Sequence, residues 1–130
     1  MKTSNEECLF CNKKKQKIIS SSKFLFVVRD SYPVTKYHSL IIPHRHVSNF
    51  FDLNNNELND LNKILKEQRN LLLKLDKKIT AFNVGVNAGA DSGQSIMHCH
   101  IHLIPRRKGD IENPRGGVRG VIPSKQKYTR

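Results

Sequence analysis

No apolar run in this chain is long enough to cross a membrane. The longest, Phe24–Val28, is five residues, against roughly 20 for a spanning helix. The opening stretch, MKTSNEECLFCNKKK, lacks the apolar core of a signal peptide, so a cytoplasmic address is expected. Cysteine is scarce and odd in number, three in all, which fits no disulfide framework. In a reducing compartment the Cys8-x-x-Cys11 spacing points to metal binding or redox chemistry, while Cys99 stands alone. Acidic residues are few: 11 Asp and Glu against 23 Lys and Arg give a formal net charge of +12. Such a field attracts polyanions, whether nucleic acid, acidic membranes or phosphorylated nucleotides. From Pro105 to Arg130 there are eight Lys or Arg against Asp110 and Glu112. Aromatic platforms are missing from that basic tail apart from Tyr128, which disfavours binding by base stacking. There is no internal repeat. At 130 residues with 37% hydrophobic content, the chain suits one domain with a real core.

Three of the six histidines, His98, His100 and His102, fall in the stretch HCHIHLIP. The intervening Cys99, Ile101 and Leu103 are apolar. A period of two is the signature of a half-buried strand. It predicts three imidazoles on one face, successive ones about 6.6 Å apart. Packing alone does not explain such a row. It suggests nucleophilic catalysis, phosphate binding, a metal site, or a combination.

The other elements follow from pattern. Lys23–Asp30 reads as a buried strand, and Ser31–Lys36, containing Pro33, as a turn. Tyr37–Pro43 reads as a second strand. Asn54 with Glu57 three residues later resembles a capping box and opens a helix from about Asn55 to Lys74. Leu58, Leu61, Ile64, Leu65, Leu71, Leu72 and Leu75 give that helix one apolar stripe, expected to be core. Ile79–Asn87 is a third strand, Gly89–Gly93 a loop, and Ser95–Pro105 a fourth strand. Cys8–Lys17 reads as an irregular lead-in with a short helix near Lys14–Lys17. Strands around one long helix argue for an α+β domain on an antiparallel sheet.

The triad stretch resembles the motif of the histidine-triad (HIT) family of nucleotide hydrolases and transferases. GVNAGADSGQSIM, Gly85–Met97, is similar to that family's approach to the motif. YHSLIIPHRHV, Tyr37–Val47, is similar to its second-strand segment, and CLFC, Cys8–Cys11, to the opening of many members. The resemblance spans residues 8–108 and leans toward the diadenosine tetraphosphate hydrolase-like branch. It implies a five-stranded antiparallel sheet with one long and one short helix, and a homodimer. Residues 1–108 would be the HIT domain, and 109–130 a basic tail within the same domain.

The resemblance also implies roles. His100, the middle triad position, is the nucleophile toward the α-phosphate of a nucleotide, with His98 and His102 flanking it. Ser95 contacts the leaving group, Asn87 the phosphate chain and Asp30 the ribose. His38 supports the nucleophile's neighbourhood, and Gly93 and Gln94 offer backbone N–H groups. Arg106, with Arg107 and Lys108, follows the triad as the nearest cation to a polyphosphate, and Arg115 and Arg119 would meet substrate phosphate if the tail folds back. Cys8 and Cys11 with two histidines make a set suited to tetrahedral zinc. The resemblance assigns those histidines to His46 and His98, with His44 a rival for His46. One structural zinc per chain and no organic cofactor are expected. The substrate is expected to be a dinucleoside polyphosphate, such as diadenosine tetraphosphate. An adenosine phosphoramidate is the alternative within the class. Outside it stands a nucleic-acid-directed basic zinc protein or a DNA-adenylate hydrolase.

Overall fold

The computed structural model describes residues 7–129. Part of the leader reading, residues 1–6, and the last cation, Arg130, lie outside the described residues. Five strands form one antiparallel sheet: β1 (Ile18–Ser21), β2 (Leu25–Arg29), β3 (Ser39–Pro43), β4 (Ile79–Val86) and β5 (Ile101–Arg107). Their spatial order is β1-β2-β3-β5-β4, so β4 is an edge strand. The helix α1 (Asn55–Leu75) connects β3 to β4. This is the α+β architecture expected. The sequence pattern misses β1, because Ser20 and Ser21 break any apolar alternation and the strand is mostly exposed. The short lead-in helix is a single 3-10 turn at Lys13–Lys15.

β2 and β3 are buried on both faces, which explains their unbroken apolar runs. On one face Leu25, Val27, Ile41 and Ile101 pack against Leu61 and Ile64 of α1. On the other, Phe26, Val28, Leu40 and Ile42 pack against Cys8 and Phe10 of the lead-in. The N-terminal segment is therefore a second layer, and it brings Cys8 and Cys11 beneath the sheet. α1 begins as its sequence dictates: the Asn54 side chain accepts from Glu57 N–H, and the Glu57 carboxylate accepts from Asn54 N–H. Glu57, 2% exposed, is also gripped by Arg45 at 2.7 Å and 3.3 Å. That pair ties the loop after β3 to the helix. The apolar stripe is only partly core. Leu61, Ile64 and Leu72 are buried, but Leu58, Leu71 and Leu75 are exposed. Among the described residues no helix is long and apolar enough to cross a membrane.

Candidate active site and metal cluster

The triad run is not one strand. β5 starts at Ile101, which pairs with Ile41 on one side and Val86 on the other. On the β3 side pairing stops there for a local reason. β3 ends at Pro43, which has no N–H to give, and its carbonyl accepts instead from His98 Nε2 at 2.8 Å. Only His102 lies in regular β structure. His98, Cys99 and His100 form an extended approach, buried throughout at 0%, 1% and 8% exposure. The expected half-exposed row of imidazoles is thus replaced by three rings with three environments.

His98 faces a cluster of sulfur and nitrogen. Its Nδ1 lies 3.3 Å from Cys8 Sγ, 3.5 Å from Cys11 Sγ and 3.1 Å from His46 Nδ1. Cys11 Sγ is 3.1 Å from His46 Nδ1. Zinc bonds of about 2.3 Å to sulfur and about 2.0–2.1 Å to nitrogen, arranged tetrahedrally, place such donors about 3.3–3.6 Å apart. The four distances, 3.1–3.5 Å, lie at or just below that spacing. The His98 ring is also prepared for it: Nε2–H donates to Pro43, so Nδ1 carries the lone pair. Burial and the neighbouring Cys8 push the Cys11 thiol up to about 11, a cost that a bound dication reverses by taking the thiolate. His44 is not part of the set. Its Nε2 meets Ser22 O at 2.9 Å, its Nδ1 meets Lys13, and its ring stacks on Phe26.

His100 turns the other way. Its Nδ1 donates to the carbonyl of His98 at 2.8 Å, which fixes the proton on Nδ1 and leaves the lone pair on Nε2. Among the described residues no buried side-chain nitrogen or oxygen lacks a partner. Nε2 has no protein partner and so reaches solvent. Phe10 packs edge-on against the ring, with centroids 5.1 Å apart.

His102, 5.4 Å from His100 between ring centroids, is set by a relay. Val34 N–H donates to His38 Nδ1 at 3.0 Å, so the His38 proton sits on Nε2. That Nε2–H faces His102 Nδ1 at 2.9 Å and Asp30 Oδ2 at 3.5 Å. His102 therefore accepts at Nδ1 and presents Nε2–H outward. Burial, then the neighbouring His100 and His38, hold His102 down to about 4. Burial also lowers His38, against the pull of Asp30. Both rings are neutral at pH 7, so His102 is a hydrogen-bond donor, not an acid. Asp30, His38 and His102 also converge closely enough to suggest a second metal group. The Val34 N–H rules against it, because it keeps the proton on the very His38 nitrogen that would have to ligate.

The HIT domain family model matches residues 12–109. The chain belongs to the HIT family. It is 31% identical over 109 residues to an uncharacterized 16.1 kDa HIT-like protein of Mycoplasma pneumoniae, covering 78% of this chain and 73% of that one. It is 37% identical over 79 residues to the asymmetrical bis(5′-nucleosyl)-tetraphosphatase of Schizosaccharomyces pombe, covering 61% of this chain but only 43% of that enzyme. Among solved structures, a zinc-bound histidine triad family protein from Mycobacterium smegmatis superposes with a TM-score of 0.76 at 22% identity, covering 85% of this chain and 82% of that one. That likeness concerns the fold. Family membership places this HIT protein among the nucleotide hydrolases and transferases.

The remaining site candidates of the HIT domain are scattered around one cleft of about 730 Å³. His38, His102, Asn87 and Arg106 line it. Gly85 pairs with His102 across β4 and β5, and a Cβ there would meet nothing, so the sheet is open beside the imidazole. Asp30 sits behind His38, its Oδ1 accepting from Tyr32 N–H. Gly93 and Gln94 do not offer free N–H groups: theirs donate to Ala90 O and Gly89 O within the loop. The buried Gln94 side chain binds Gly89 N–H, Ser48 O and Ile96 O, so its part is to hold the approach to the triad. Ser95 is exposed and is not among the cleft-lining residues.

Arg106 is not a free cation either. It forms a two-pronged pair with Asp110 at 2.8 and 2.9 Å and donates to Asn83 at 2.7 Å. Arg107 pairs with Asp76. The tail folds into 3-10 turns at Gly117–Val121 and Pro123–Lys125 and forms a wall of the cleft through Pro114, Gly117, Val118 and Val121. Gly116, at φ 89°, allows that fold, since a Cβ there would collide with the Gln126 carbonyl. Arg115 and Arg119 lie over the Tyr128 ring at 5.3 and 4.7 Å and do not line the cleft, contrary to the phosphate role expected of them. Asn83 and Asp110 were missed from the sequence. Asp110, four residues after Arg106, was the available signal.

Proposed function

We propose that this HIT protein cleaves nucleotides at the α-phosphate through a nucleotidyl-His100 intermediate, with dinucleoside polyphosphates such as diadenosine tetraphosphate as substrate. The observation that carries this reading is the His98 carbonyl on His100 Nδ1. It leaves one solvent-facing imidazole lone pair, and that lone pair is the nucleophile. His100 Nε2 attacks phosphorus, an N–P bond forms, and the bond to the leaving group breaks with its electron pair. His102 Nε2–H donates to a phosphate oxygen on which charge builds. Water, or phosphate, then attacks the same phosphorus, and the N–P bond breaks to restore the imidazole. Asp30 takes the ribose and Asn87 the phosphate chain. The name of the fission-yeast relative supports the tetraphosphate.

Cys8, Cys11, His46 and His98 would hold one zinc ion. With four protein ligands it has no open position, so it braces the lead-in against the triad run. The active unit is a homodimer, supported by the unpaired edge of β4 and the groove beside it, lined by Leu65, Leu73, Phe82 and Val84. Sedimentation equilibrium should return twice the chain mass at micromolar concentration; a monomer would remove this part of the reading.

A second substrate is favoured by one observation. The two charged side chains lining the cleft, Arg106 and Asp110, pair with each other, an arrangement better suited to one phosphate than to four. That substrate is adenosine 5′-phosphoramidate. A nucleic-acid role is weaker, since Arg106, Arg107, Arg115 and Arg119 are all engaged within the fold. The deciding experiment is a turnover panel of diadenosine tetraphosphate and the phosphoramidate, with and without added phosphate. Tetraphosphate should be consumed faster, and phosphate dependence identifies the acceptor. Turnover of the phosphoramidate alone transfers the assignment to it, and inertness toward both overturns the reading.

A further inference from the structure

We propose that Gly85 is a specificity-determining residue, the gap in the cleft floor through which the leaving group crosses β4. The inference rests on the nucleotidyl-His100 reading above and traces the part of the substrate beyond the reacting phosphorus. A glycine inside a strand weakens it, because it brings no side chain to pack and loses more backbone freedom than any other residue. Three internal reasons can require one, and none holds at Gly85. Its φ is not positive. The ladder is regular around it, with Val84 opposite Leu103, Gly85 opposite His102 and Val86 opposite Ile101, so there is no bulge. A Cβ built on it would meet nothing within 4 Å, so no neighbouring part of the fold demands the room. The remaining reason for a strand glycine is the close approach of a group from outside the chain.

Its position says which group that is. Asn83, Gly85 and Asn87, at alternate positions, all line the cleft. Between the two carboxamides the floor is bare backbone. Gly85 is the direct partner of His102, with Cα atoms about 5 Å apart as in any antiparallel pair. The bare stretch therefore begins beside the imidazole that faces the phosphate. Strand order then separates the two halves of the substrate. Asp30 follows β2 and His38 precedes β3, whereas β5 and then β4 lie on the far side of β3. A nucleoside held at Asp30 lies on one side of His102, and the rest of the substrate leaves over β4. The tail narrows that exit. A Cβ on Gly117 would lie 3.4 Å from the Asn83 side chain, and Asn83 Oδ1 is held by Arg106. With the Asn83 end occupied, the opening is at Gly85. A side chain there would stand in the path of a large leaving group and would miss a small one.

The test is single-turnover kinetics of full-length wild type, Gly85→Ala and Gly85→Val on three donors of the same AMP group. These are diadenosine tetraphosphate, adenosine 5′-phosphoramidate, and that phosphoramidate carrying a bulky amine. Gly85→Val should slow adduct formation from the tetraphosphate and the bulky amide about 10- to 100-fold, the loss expected when a reacting group is displaced by about 1 Å. The plain phosphoramidate, whose leaving group is a single nitrogen, should lose less than about threefold on the same scale. Gly85→Ala should fall between wild type and Gly85→Val. The adduct is the same from every donor and, once formed, should release AMP to water at the wild-type rate. Melting temperature should hold or rise in both variants, because side chains other than glycine favour strands. Equal slowing from all three donors, or none from any, overturns the inference while leaving the nucleotidyl reading intact. Early melting of both variants does the same, since the room would then belong to the fold. A wild-type dimer that separates in Gly85→Val assigns the gap to a second chain and overturns the inference too. No adduct on wild type from any donor removes the nucleotidyl reading, and this inference with it.

Discussion

Replacing His100 by alanine should lower turnover at least about a thousandfold, the scale on which covalent enzymes lose activity with their nucleophile, and leave nucleotide affinity within about tenfold, under 1.4 kcal/mol. The two effects separate because the ring is a reacting group and a small part of the binding surface. Asp30, Asn87 and the cleft walls remain. His102→Ala should cost less, about 10²- to 10³-fold, the usual loss for one preorganised donor. Mass spectrometry of acid-quenched enzyme reads the difference directly. Wild type should carry an AMP adduct on His100, and the His102 variant the same adduct formed more slowly. His100→Ala should carry none. Robust turnover by His100→Ala would end the assignment, and an adduct on another residue would relocate it.

The parts of this molecule that the sequence reveals are those fixed by local rules. β2 and β3 announce themselves because burial on both faces forces unbroken apolar runs. α1 announces its start because Asn54 and Glu57 satisfy each other's backbone partners. The start of β5 was placed wrongly because alternation in HCHIHLIP persists beyond the last ladder pair. On the β3 side the ladder stops short of Pro43, 58 positions before Ile101, and a pattern read along one segment does not see its neighbour's missing N–H. The roles of the triad histidines follow the same logic. Their identity is local, but their tautomers depend on Pro43 O, His98 O and Val34 N–H, which only the fold brings to them.

Charge was the least legible property. A run of cations after the triad invites a phosphate reading. Arg106 and Arg107 instead find Asp110 and Asp76, one of them in the turn after α1. The formal charge of +12 counts both members of each pair and says nothing about which cations face a cleft. Arg115 and Arg119 stack on Tyr128 because the glycines at 116 and 120 let the tail close on Gln126. That closure is a steric property of five or six residues together. The composition of the tail, rich in Gly and Pro, reads the opposite way.

The cluster gives the other large effect. Purified protein should hold close to one zinc per chain, and removing it should destabilise the fold by about 4 kcal/mol when free zinc stands about a thousandfold above its dissociation constant, which is about 15 °C in melting temperature for a domain of this size. The reason is architectural. Cys8 and Cys11 belong to the lead-in, His46 to the loop after β3, and His98 to the approach to β5. One ion therefore closes three segments that are far apart in sequence. Cys8→Ser should lose the metal and melt early. His46→Ala should do the same, whereas His44→Ala should keep full zinc, because the His44 nitrogens already face Ser22 and Lys13. Acid should release the metal as well, since Cys11, whose thiol lies high when metal-free, must exchange a proton for each binding event. Elemental analysis across a pH series, paired with calorimetry of the three variants, measures all of this. Equal stability of stripped and loaded wild type would show that the four donors hold one another without an ion.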